Sequence, residues 1–146
     1  MKSLFKGLVV LCAATLLSGG ARGADVPNFN KRGSNDKEEK AFVEEVAQTI
    51  VKAGRTSVTE KDVTLQEYTF KTVKEGHQEL RMSAGYKGAV TKTKYSADIV
   101  VRLDTSDKGN WKVLKIEYKD NNKSPVSFSS KNVEALVKTF NNAARN

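Results

Sequence analysis

The 146-residue chain is poor in the side chains that carry thiol, redox and metal chemistry: it has one Cys, one His, one Trp and two Pro. Cys12 lies in an apolar run near the start, so residues 25–146 contain no thiol at all. That excludes a disulfide framework, a thiolate metal site, a cysteine nucleophile and a redox pair in that part of the chain. His77 alone cannot furnish a two- or three-histidine centre, and sites made only of carboxylates suit calcium rather than zinc. No EF-hand spacing occurs, the glycines form neither a phosphate-binding loop nor a dinucleotide fingerprint, and no Ser sits in a nucleophile elbow. No cofactor and no resident metal are expected.

Long hydrophobic runs are missing too. Lys2 and Lys6 give a positive start, an apolar run covers residues 7–17, and residues 18–24 are small apart from Arg22. This is the three-part layout of a secretory signal peptide over residues 1–24. The run is about half the roughly 20 residues that a membrane-spanning helix needs, so no transmembrane segment is expected once the leader is removed. Cleavage fits after Gly23, with Ala21 at −3, or after Ala24. A lipidated cysteine would follow the run, so Cys12 is expected to leave with the leader. The leader has three basic residues and no acid, and its loss lowers the formal charge of +8 by three. The expected location is secreted or periplasmic. Without disulfides, stability there must come from a hydrophobic core.

Residues 25–35, rich in Asn, Gly and basic side chains, read as a flexible arm. Helical periodicity then begins. Asn35 with Glu38, or Asp36 with Glu39, has capping-box spacing, and Phe42, Val43, Val46, Ala47, Ile50 and Val51 form one apolar stripe. The pattern predicts a helix over residues 36–53, with Gly54 as its C′ residue. From residue 63 the period becomes two. Val63 and Leu65 share one parity, Tyr68 and Phe70 the other, which predicts a bulge near Gln66 and Glu67. After a turn at Glu75, Gly76 and His77, a second strand runs from Leu80 through Met82, Ala84 and Tyr86 and is extended as far as Val90. Tyr95, Ala97, Ile99, Val101 and Leu103 alternate with mostly polar residues in a third strand. A fourth covers residues 110–119 with a parity slip, and a closing helix capped by Ser129 or Ser130 carries Val133, Leu136, Val137 and Phe140.

Short connections favour antiparallel neighbours, and a sheet with one apolar face must bury it. The expected fold is a single α+β domain over residues 36–146: an N-terminal helix packed on a curved four-stranded antiparallel meander, plus a C-terminal helix. Helix, four strands and an aromatic-rich last strand from Trp111 to Tyr118 resemble the cystatin-like and NTF2-like (nuclear-transport-factor-2-like) group of folds across residues 36–119. The resemblance is carried by element order. Cystatins that block cysteine proteases use a Q-x-V-x-G hairpin and a later Pro-Trp pair. Here Gln78-Glu79-Leu80-Arg81-Met82 departs from the first and Asn110-Trp111 from the second. The resemblance therefore implies an architecture and counts against protease inhibition.

Candidate functional residues are few. His77 reads as a solvated turn histidine, with a lone general base beside Glu75 or Glu79 as the sharper reading. Glu67 and Asp98 read as outward strand carboxylates, and become acid–base candidates only inside a concave pocket. Trp111 is a core anchor or a ligand platform. Lys87, Lys92 and Lys94, with Tyr86 and Tyr95 nearby, read as a solvated edge or as an anion-binding patch. The leading expectation is an exported, non-enzymatic binding or accessory module for an unknown protein, peptide or small ligand. The alternatives are an NTF2-like carrier or enzyme with a pocket between sheet and helix, and a cell-envelope protein binding an acidic polymer. Nucleic acid is not an expected partner.

Overall fold

The computed structural model describes residues 26–90, 92–126 and 128–144, so the expected leader and Cys12 lie outside the described residues. The elements are α1 (Asp36–Gly54), β1 (Val63–Lys74), β2 (His77–Lys87), β3 (Lys94–Asp104), β4 (Lys112–Asp120) and α2 (Ser130–Ala144), with single 3-10 turns at Phe29–Lys31 and Glu60–Asp62. The strands form one antiparallel sheet in the order β1-β2-β3-β4. The fold is the expected α+β arrangement of helix, four-stranded meander and helix.

Both parity slips are bulges. The first falls between Leu65 and Glu67, so Val63, Leu65, Tyr68 and Phe70 can all face the helices despite their mixed spacing. In β4, Leu103 pairs with Val113 and Arg102 with Lys115, which leaves Leu114 as the extra residue, exposed at 48%. The second strand stops at Lys87, short of the expected Val90, because the chain turns there: Gly88 N–H donates to Thr93 O and Lys92 N–H returns to Gly88 O. At the other end the turn is Glu75-Gly76, with Gly76 at φ 78, and His77 is already the first residue of β2.

Asn35 caps α1, its side chain accepting from Glu38 N–H, while Glu38 reaches back to Ser34 N–H at 3.0 Å. Gly54 is the last helical residue and has no left-handed φ. Glycine is needed there for a different reason: a Cβ would run into the Phe128 ring. The inner sheet face meets both helices. Val43, Val46, Ala47, Ile50 and Val51 of α1 and Leu136 and Phe140 of α2 share one core with Leu80, Ala84, Ala97, Ile99, Val101, Leu103, Val113 and Ile116. The first helix is thus one of two covers. Asn141 of α2 fixes the second, its side chain accepting from Val113 N–H at 2.8 Å and donating to Val113 O at 3.0 Å.

The segment read as an arm is docked over its described part. Phe29 is buried, edge-on to Phe42 at 5.1 Å and tilted on Phe140 at 5.9 Å, so it joins the two helices. Asn28 caps its 3-10 turn and donates to Ala143 O, and Asn30 accepts from Trp111 N–H at 2.7 Å. One aromatic anchor and three side-chain bonds offset the entropy that the segment's composition suggested it would keep. Phe29→Ala is expected to cost about 3–5 kcal/mol, read as a lower urea midpoint at unchanged m-value.

Candidate functional site

The outer sheet face carries no helix. Register places Glu67, Ser83, Asp98 and Lys119 in one row, and Lys71, Glu79, Arg102 and Lys115 in another. Glu67 and Asp98 are both exposed, flanking Ser83, whose hydroxyl donates to Asp98 at 3.3 Å. His77 sits six positions along β2 from Ser83, roughly 20 Å away at about 3.4 Å per residue. Its Nδ1 lies 3.4 Å from the Glu75 carbonyl. The structure therefore does not bring Glu67, Asp98 and His77 together. Glu79, expected as a possible partner of His77, is instead buried on this face between Arg81 and Arg102. Both signs occur in each row, so the face has no single-sign field.

Trp111 is half-buried at the far sheet end, where the Arg32 guanidinium lies between its ring (4.4 Å) and that of Phe70 (4.7 Å). Arg32 also meets Glu39 at 3.8 Å. Trp111 and Arg32 line an open groove of about 490 Å³ with the Phe29–Ser34 segment, Lys108 and Gly109. The tryptophan's face is thus taken by a residue of its own chain.

The opposite sheet end holds groups that sequence reasoning missed. Arg55, the C-cap of α1, and Asp120, the last residue of β4, form a buried ion pair. Asp120 Oδ1 accepts from Arg55 Nη2 at 2.9 Å and Asn122 N–H at 3.1 Å; Oδ2 accepts from Arg55 Nε at 3.1 Å, Tyr86 Oη at 2.8 Å and Tyr118 Oη at 2.6 Å. Arg55 Nη1 donates to Pro125 O. Burial pushes the Asp120 carboxyl up, but hydrogen bonds from Arg55, Tyr118, Tyr86 and the Asn122 amide outweigh it and hold the group below the usual carboxylate range. Burial, with the neighbouring carboxylate, drives the Tyr118 and Tyr86 hydroxyls upward. Every strong donor is matched, so these groups are fixed in one protonation state near neutrality. The legible signal was the inward parity of two tyrosines at one sheet end, each needing a buried partner.

Above this network, Tyr86 and Tyr95 pack at 5.4 Å beneath a cleft of about 310 Å³ lined also by Asp62, Thr64, Gln66, Gly85, Lys87, Lys94 and Ser96. Lys87 and Lys94 are direct cross-strand partners, both exposed. Exposed Lys92 lies in the connecting turn with φ 58, a left-handed conformation that lysine rarely adopts. None of the three forms an ion pair among the described residues. This hairpin is where the sequence-predicted cations converge.

Among the described residues, no three His, Cys, Asp or Glu side chains cluster to hold a metal ion, and no helix is long and apolar enough to cross a membrane. No family model, curated protein or solved structure matches the chain.

Breaking a buried ion pair by removing one partner typically costs about 3–5 kcal/mol, and Asp120→Asn is expected to lose that much in urea unfolding at pH 7. Because the folded-state pKa of Asp120 is depressed, its stabilisation is present above the unfolded value of about 3.9 and fades as pH falls through the folded value. The gap between wild type and Asp120→Asn should therefore narrow as the solution is acidified below about pH 4.

Proposed function

We propose that the chain is an exported, non-enzymatic binding or accessory module, and that its ligand is held at the Lys87–Lys92–Lys94 hairpin. The observation that carries this reading is the division of its polar groups. The buried carboxylate and tyrosines satisfy one another, His77 lies far from the exposed Glu67 and Asp98, and three lysines with no ion-pair partner among the described residues share one hairpin. Like charges directly opposite each other on neighbouring strands are destabilising, as is a left-handed lysine. An anion seated between the lysines would relieve the first cost. Of the two tyrosines that line the neighbouring cleft, half-buried Tyr95 adds an aromatic group to that charge, whereas Tyr86 is buried.

The ligand class this favours is an acidic polymer such as a sulfated or carboxylated polysaccharide. A carrier or enzyme with its pocket between sheet and α1 has less support, since Val43, Val46, Ala47, Ile50 and Val51 fill that space at 0% exposure. Export is supported by the leader-like layout of residues 1–24. The helix and four-stranded meander support a likeness to the cystatin-like and NTF2-like group, which by itself assigns no activity.

A dextran-sulfate column provides the test. The triple variant Lys87→Gln, Lys92→Gln, Lys94→Gln should elute at clearly lower salt than wild type, since screened surface attraction supplies the retention. Lys94→Glu should both lower the eluting salt and stabilise the fold by up to about 1 kcal/mol, by turning a like-charge pair into an opposite one. Unchanged elution of the triple variant would end the anion-binding reading.

A further inference from the structure

We infer that the free edge of β1 pairs with the same edge of a second copy, in antiparallel register about Thr69. The strand is outermost in the sheet and twelve residues long. Its first part is already occupied by α1, Glu44 accepting from Leu65 N–H and Gln48 donating to Val63 O. β4, the other edge, is occupied at Val113 by Asn141. Among the described residues no such side-chain bond covers the free backbone edge of Glu67 to Thr72, which pairs with β2 residue for residue between the two irregularities of the strand. A flat, unbulged edge is the geometry that accepts another strand.

Side-chain chemistry then selects the register. In a continuous antiparallel sheet, directly opposed residues point to the same face, so only axes that pass through a residue are allowed. With the axis on Thr69, Glu67 opposes Lys71 of the second copy on the outer face, and Lys71 opposes the second Glu67. On the inner face Tyr68 opposes the second Phe70, two half-buried rings that already sit edge-on to each other at 6.2 Å within one chain. Moving the axis to Lys71 sets two lysines against each other. Moving it to Phe70 sets Glu67 against Val73, and moving it to Tyr68 sets Lys71 against Leu65, whose amide Glu44 holds. A lysine on an edge strand ordinarily repels a partner strand. Of these registers, the one centred on Thr69 gives each Lys71 a carboxylate.

Sedimentation of the full chain should show a reversible dimer. Glu67→Lys, which sets lysine against Lys71 at both symmetric positions, should weaken it about tenfold or more, and Glu67→Lys with Lys71→Glu should restore it. In the dimer the backbone amides of residues 67–71 that point away from β2 should gain hydrogen-exchange protection, and lose it on dilution. A wild type that stays monomeric at millimolar concentration, or a dimer that Glu67→Lys leaves unchanged, overturns the inference. So does a dimer that the double charge reversal fails to restore.

Discussion

The Asp120 carboxylate is the point on which the architecture converges. It ends β4, and its donors come from the C-cap of α1, from the inner side of β2, from β4 itself and from the loop that leads to α2. A buried charge is tolerated only when paired and fully hydrogen-bonded. Arg55 supplies the charge, and the two tyrosines with the Asn122 amide supply the remaining donors. Helix, sheet and loop cannot separate at this end without leaving ions in an apolar interior. The same closure makes the site chemically quiet, because a carboxylate held below its usual range and tyrosines held above theirs have no proton to exchange near neutrality.

Tyr86 connects this interior to the surface. Its hydroxyl belongs to the network, while its ring packs on Tyr95 under the cleft that Lys87 and Lys94 border. The network therefore holds still the strand ends that bring the lysines face to face. In the proposed reading, the like-charge pair held there is what a bound anion would relieve. Two other surface features remain distinct from this one: the outer face, where both signs are mixed in each row, and the outermost edge of β1, to which Glu67 and Lys71 belong.

What the sequence disclosed was whatever local period could disclose. Phe42, Val46 and Ile50 marked α1, and the broken parities at Leu65/Tyr68 and Val113/Ile116 marked both bulges, because a strand has to keep its apolar side chains on one face. Contacts distant in sequence were invisible. Arg55 and Asp120 lie 65 residues apart, with nothing in either neighbourhood to announce the other. Phe29 is a lone aromatic in a polar stretch, so no period betrayed that it joins α1 to α2. Gly54 was correctly placed at a helix end, yet its reason is the Phe128 ring and not backbone conformation. Of the candidate site residues, the lysines were found together because they belong to one hairpin, whereas Glu67, Asp98 and His77 were grouped by chemistry alone and the register separates them.

The Asp120 carboxylate, buried with Arg55 at one sheet end, is a brace and not a reactive acid. Carbon-13 NMR titration of the Asp120 side chain measures this directly. A brace stays ionised below the ordinary aspartate value of about 3.9 and changes only as the fold itself is lost. A carboxyl that titrates above that value while the sheet remains intact would mark an acid–base group and contradict the account.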